Sequence, residues 1–171
     1  MHGSGQDDFL QLPTFHRPLR DRRCSSAKES MLRTLFPNGR FSPPATEAAI
    51  VEAESQLGVQ LPTQLRALYL ICDGFREDKG NAKYLFSLTD EDYIGSLVSI
   101  TKHMWTEWNT PDLRPFLFFG SSSGDDFWGI NLRQPDEIIA FHHQMEDHYE
   151  IVGTDIVQVF REDYSQYDEL E

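Results

Sequence analysis

Three apolar segments stand close together in the second half of the chain: "PFLFFG" (Pro115 to Gly120), "DFWGIN" (Asp126 to Asn131) and "EIIAFHH" (Glu137 to His143). The intervals between them hold Gly, Ser, Asp, Pro and Gln, residues that supply turns. So short an interval cannot carry the crossover that parallel strands require, and the segments are expected to pair as an antiparallel meander. "YEIVG" (Tyr149 to Gly153) is expected to add an edge strand.

Helical periodicity surrounds this meander. Ser26 and Glu29 have capping-box spacing, and Met31, Leu32, Leu35 and Phe36 follow until Pro37-Asn38-Gly39 stops the helix. Thr46 is the expected N-cap of a second helix, with Glu47 in its first turn, Ile50, Ala53 and Leu57 on one face, and Gly58 as the left-handed terminator. Pro62 suits the first position of a third, whose stripe is Leu65, Leu68, Tyr69 and Cys72 before Asp73-Gly74 turns the chain. "KYLFSL" (Lys83 to Leu88) alternates like a strand. A helix is expected over Thr101 to Trp108, while Val98 to Ile100 fits either helix or strand. Thr154 is the expected cap of a closing helix with Ile156, Val159, Phe160 and Tyr164 on one face. Helices, then a meander, then a helix make an α+β fold: a single domain with an antiparallel β-meander and helices packed on one side. The expected divisions are a basic arm (1–25), an N-terminal helix and linker (26–41), the domain proper (42–167) and an acidic tail (168–171).

A chain of 171 residues can bury a core without disulfides. Its two cysteines, Cys24 and Cys72, have no metal or redox spacing, and Cys72 reads as a small buried hydrophobe. No apolar run approaches the ~18 residues of a membrane helix, and the N-terminus lacks a secretory pattern, so no membrane contact and a cytoplasmic location are expected. The net charge is −13. Residues 1–40 hold seven Lys/Arg against four Asp/Glu, or +3; residues 41–171 hold eight against twenty-four, or −16. Such a body repels nucleic acid phosphates and attracts a basic protein.

Between the first two apolar segments lies "GSSSG" (Gly120 to Gly124), which matches the nucleophile elbow of serine hydrolases with Ser122 as nucleophile. That elbow needs a strand-to-helix turn. Here Phe127, Trp128 and Ile130 are strand formers, Gly129 opposes a helix, and Pro135 follows. A hairpin turn is therefore expected, kept wet by Asp125 and Asp126. "HHQMEDH" (His142 to His148) holds metal-ligand types, but His142 and His143 are adjacent and would face opposite sides of a strand, so at most one could join His148. No Gly-rich phosphate loop is present, and no metal or cofactor is expected. Trp128 is expected in the core; Trp105 and Trp108 suit either the core or an interface.

The run Thr46 to Phe75 resembles the opening of the SUKH superfamily, the Smi/Knr-type domains: Glu54, Leu57, Gly58, Leu61 and Pro62, then Asp73-Gly74. "FLFFGSSSGDDFWGIN" is similar to that family's second signature, "EIIAFHH" to its next strand and "GTDIVQVF" to its closing helix. The resemblance spans about Pro43 to Tyr167; the N-terminal 40 residues and Glu77 to Thr110 lie outside it. It implies an α+β domain without catalytic residues. Many bacterial members are immunity proteins that neutralise toxins, often nucleases, and fungal members act as interaction hubs in cell-wall regulation. A non-catalytic protein-interaction module, such as an immunity protein against a basic toxin, is the expected function. The expected contacts are the acidic loops (Asp125 and Asp126; Glu146 and Asp147; Asp90, Glu91 and Asp92), with Trp105 or Trp108 as an aromatic anchor. The alternatives are a small-ligand or peptide sensor using the groove between sheet and helices, and a hydrolase using Ser122 or a metal.

Overall fold

The computed structural model describes residues 27, 30–77, 82–90, 95–107, 112–122, 126–142 and 149–168. In chain order the elements are α1 (30–35), β1 (Arg40–Phe41), α2 (Glu47–Leu57), α3 (Thr63–Tyr69), β2 (Phe75–Arg76), α4 (Leu97–Glu107), β3 (Phe116–Ser121), β4 (Phe127–Asn131), β5 (Ile138–Phe141), β6 (Tyr149–Gly153) and α5 (Ile156–Asp168). The last four strands form the expected meander, antiparallel in the order β3-β4-β5-β6. β1 and β2 pair separately, a small sheet that the sequence pattern did not announce. The fold is α+β.

All four residues of β5 are buried. Because successive side chains point to opposite faces, both faces of the sheet are covered there, which is why β3 and β5 read as continuous apolar runs. On one face an aromatic cluster joins distant parts of the chain. Trp128 stacks on Tyr84 at 5.2 Å and packs against Phe160 at 5.4 Å; Phe36 and Phe75 complete the group. Thus α1, β2, the 82–88 segment, β4 and α5 share one core, and Cys72 lies buried within it.

The α2–α3 corner follows the sequence closely. The Thr46 hydroxyl accepts from the Ala49 amide at 3.1 Å, and Gly58 takes the left-handed conformation with φ 70°. Glu54 then gives the corner its shape: its carboxylate accepts from the Leu61 amide at 2.9 Å and from Arg66. Arg66 also pairs with Glu47. Helix α3 ends at Tyr69, before Cys72. The Tyr69 carbonyl accepts from the Ala45 amide at 2.8 Å, and the Asp73 amide goes to Pro43 at 2.8 Å instead of back into the helix. Pro62 is the N-cap rather than the first helical residue.

Three further expectations shift. Lys83 to Leu88 is extended but forms only single bridges, to Phe75, Ser121 and Ser96. Its hydrogen bonds are divided between neighbours: Leu85 pairs with Phe75 on one side, while Phe86 donates to Phe119 at 2.7 Å and Ser121 donates to Lys83 at 2.9 Å on the other. It therefore stitches the small sheet to the meander. Helix α4 begins at Leu97, not Thr101, since Ser96 caps it by accepting from the Ser99 amide at 3.3 Å. Asp155, not Thr154, caps α5, accepting from the Gln158 amide at 2.9 Å. The Thr154 carbonyl is occupied by Gln64, which also accepts from the Ile156 amide at 3.2 Å.

The two edges of the meander differ. The outer edge of β3 is covered. Trp105 donates to the Phe116 carbonyl at 2.7 Å, Thr101 bonds both backbone groups of Phe118, and the 82–88 segment takes Phe119 and Ser121. Strand β6 pairs with β5 alone among the described residues. No helix among those residues is long and apolar enough to cross a membrane.

Candidate partner-binding site

Strand alternation builds the site. Asp126 and Trp128 are two apart, as are Ala140 and His142, and Glu150 and Val152. The register sets Trp128 opposite Ala140 and Ala140 opposite Glu150 on one face of the sheet, and Asp126, His142 and Val152 line the same cleft. Helix α5 brings Val159, Glu162 and Asp163 over that face, since residues three and four apart share a helix side. Between them is a cleft of about 340 Å³, whose lining also includes Ser122 and Ile151. Trp128, Ala140, Val152 and Val159 supply its apolar surface, and four carboxylates surround it: Asp126, Glu150, Glu162 and Asp163.

His142 is the basic side chain among the lining residues. Its Nδ1 lies 3.0 Å from Asp126 and its Nε2 3.5 Å from Glu150. The hydrogen bond to Asp126 raises its pKa above the ordinary 6.5; burial opposes this, and Glu150 adds to the rise. Asp163 is half-buried. Burial raises its carboxyl above 3.8, the Tyr84 hydroxyl donating at 2.9 Å opposes this, and the charge of Asp126 reinforces the rise. The His142 shift thus reports its carboxylate neighbours, whereas that of Asp163 is chiefly burial, with Asp126 adding to it.

The raised pKa of His142 couples folding to pH. A raised folded-state pKa means that the stabilisation is fully present below pH 6.5 and is lost as pH rises through the folded value. A proton NMR titration is expected to place the His142 midpoint above 6.5, and Asp126→Asn to lower it. A midpoint at or below 6.5 would contradict this geometry.

The residues expected to touch a partner are distributed unevenly. Asp126 enters the cleft. Asp90 lines a different hollow, of about 320 Å³, beside Arg40, Arg76 and Lys83. Arg40 and Arg76 are directly opposite on β1 and β2, so this hollow is mixed in charge rather than acidic. Trp105 is half-buried and its ring N–H is committed to Phe116. Asp125, Glu146, Asp147, Glu91, Asp92 and Trp108 lie outside the described residues, as do His143 and His148. Sequence reading missed Glu150, Glu162 and Asp163. The strand and helix periods contained the signal, but only the β5–β6 register and the placement of α5 bring the three together.

Ser122 directly follows β3, is only 7% exposed, and its amide donates to the Asp126 carbonyl at 2.9 Å. A strand follows it, not the helix that a nucleophile elbow requires. Ser122 shares the cleft with the Asp126–His142 pair, but the His142 Nε2 faces Glu150. Among the described residues, no group of three or more His, Cys, Asp or Glu is arranged to hold a metal ion.

A family model described as the SMI1 / KNR4 family (SUKH-1) matches residues 44–162. The chain belongs to this family. SUKH domains are generally non-catalytic immunity or regulatory modules, so membership supports an immunity-protein-like or regulatory role. The fold also resembles a crystal structure of a protein from Pseudomonas syringae pv. tomato, with a TM-score of 0.53 and 15% identity, over 71% of this chain and 89% of that one. No curated protein matches the sequence. In this SUKH chain the signature residues are structural. Glu54 and Gly58 form the α2–α3 corner, and the Asp73 carboxylate accepts from the Leu88 amide at 2.6 Å and the Ser87 hydroxyl at 3.0 Å.

Proposed function

We propose that this chain is a non-catalytic interaction module that binds a basic protein through the cleft between the meander and α5, as an immunity protein would bind a basic toxin such as a nuclease. The observation that supports this most is the gathering of four carboxylates over an apolar surface, with one histidine among them, in a chain whose net charge is already −13. A lysine or arginine side chain entering the cleft would meet Asp126, Glu150 and Asp163 and relieve their mutual repulsion; the field of the acidic body would speed its approach. His142 competes for the same carboxylates when protonated, so affinity for a basic partner is expected to rise as pH rises through the His142 titration. Asp125, Glu146 and Asp147, close in sequence to Asp126 and Glu150, are proposed as further contacts, as are Asp90, Glu91, Asp92, Trp105 and Trp108 outside the cleft. The proposed location is the cytoplasm, with neither nucleic acid nor membrane as partner.

The test is co-expression with the product of the neighbouring gene, followed by affinity measurement. The double variant Asp126→Asn, Glu150→Gln is expected to weaken binding of a basic partner by at least about tenfold, or ~1.4 kcal/mol. Unchanged affinity would remove the cleft from the interface. The cleft volume also lies within the range of small-ligand pockets, which favours the sensing reading as the alternative. A thermal-shift screen that raises Tm with a small cation, and no protein binding, would favour that alternative. A fluorophosphonate probe is expected to leave Ser122 unlabelled.

A further inference from the structure

The outer edge of β6, unpaired among the described residues, borders the acidic cleft and differs from the β3 edge of the meander. The β3 edge is closed by hydrogen bonds from Trp105, Thr101 and Phe86. Strand β6 hydrogen-bonds to β5 alone among the described residues, and in an antiparallel pair alternate residues then point their N–H and C=O groups away from the neighbour. Its sequence, "YEIVG", carries neither lysine nor proline, and the irregularity in its pairing with β5 falls at Val152, beyond the regular stretch Tyr149 to Ile151. Ile151 is 61% exposed, the most of any large apolar side chain among the described residues, and Tyr149 is 43% exposed. By register Tyr149 and Ile151 stand opposite Phe141 and Ile139, and Glu150 opposite Ala140 on the face of Asp126 and His142; Ile151, at the strand's edge, also borders the cleft.

We infer that the β6 edge is a strand-addition site for an extended basic segment of a partner protein, in which cationic and apolar residues alternate. Its backbone would continue the ladder. Its apolar side chains would cover Tyr149 and Ile151, and its cationic side chains would enter the cleft at Glu150 and Asp126. Backbone pairing supplies affinity in this mode, and side-chain alternation supplies specificity. Charge complementarity selects this occupant over a second copy of the chain, because two bodies of net charge −13 repel each other and neither brings a cation to the cleft. The inference rests on the interaction-module reading and specifies how that module engages its partner.

The probe is a short capped peptide of alternating Arg and Val, with a Glu and Val counterpart as control. The full chain is expected to bind the first and not the second, with slowed amide hydrogen exchange confined to β6. Ile151→Lys and Glu150→Lys, each checked for an unchanged circular dichroism spectrum, are expected to weaken binding at least about tenfold. Binding unaffected by both variants, or protection elsewhere than β6, would overturn the inference. So would protection of β6 without peptide in a chain that sediments as a dimer, since the occupant would then be a second copy. A basic partner captured equally by wild type and Ile151→Lys would overturn the edge site and leave the module reading standing. Peptide protection at β6 with no protein partner bound would uphold the edge and overturn the module reading.

Discussion

Gly120→Ala is expected to destabilise the fold by about 3 kcal/mol, lowering Tm by roughly 6 to 12 °C. A Cβ at position 120 would lie 2.3 Å from the Tyr84 carbonyl oxygen, 2.9 Å from its carbon and 3.0 Å from the Lys83 oxygen. All three are backbone atoms, so no side chain can turn aside. Relief requires moving the 82–88 segment away from β3, which would disturb the bonds from Phe86 to Phe119 and from Ser121 to Lys83. Gly129→Ala is the control. There the added methyl meets only side chains, Ile139 at 3.2 Å and Phe118 at 3.3 Å, and a smaller loss is expected. Urea denaturation of both variants checks the pair. A Gly120→Ala midpoint equal to that of wild type would mean that the two segments do not approach as described.

The second large effect is expected at Asp73, which is only 6% exposed. One carboxylate oxygen accepts from the Leu88 amide at 2.6 Å, and the other accepts from the hydroxyls of Ser87, at 3.0 Å, and Thr89, at 2.5 Å. Asp73→Ala leaves these donors without their acceptor and is expected to cost about 3 to 4 kcal/mol, since an unsatisfied buried polar group costs more than an ordinary hydrogen bond contributes. Asp73→Asn keeps one acceptor oxygen and is expected to lose less. The variants should also separate by site: exchange at Leu88 and Asp90 should quicken first, since this network holds residues 87–90 to the Asp73 turn. Equal stability of Asp73→Ala and wild type in urea would show that water replaces the network at no cost.

These positions show what kind of information the sequence carries. The meander was legible because its turn residues are local and its apolar runs are bounded. The α2–α3 corner was legible because Thr46, Gly58 and Pro62 each act on the backbone where they stand. Boundaries set by distant partners were not legible. Helix α3 stops at Tyr69 because Ala45 takes its carbonyl and Pro43 takes the Asp73 amide. Lys83 to Leu88 alternates like a strand, yet its bonds are divided between Phe75 and β3, so no ladder forms. "GSSSG" follows the same logic. Its first glycine is needed for the approach of Tyr84, a contact between residues 36 apart in the chain.

The cleft divides in the same way. By itself the sequence determined that the body is acidic, that Asp126 directly precedes one strand, that His142 lies at the end of another apolar segment, and that the fold is an α+β meander with helices. Each of these depends on composition or on neighbours a few residues away. Only the tertiary structure decided that Asp126, His142 and Glu150 share a face with Glu162 and Asp163 above them. It also separated Asp90 from this group, into a hollow with Arg40, Arg76 and Lys83. The reason is physical. A strand's period assigns a side chain to one of two faces, but register and helix placement are set by burying Trp128, Phe160 and Tyr84 together, and that choice settles which charges meet.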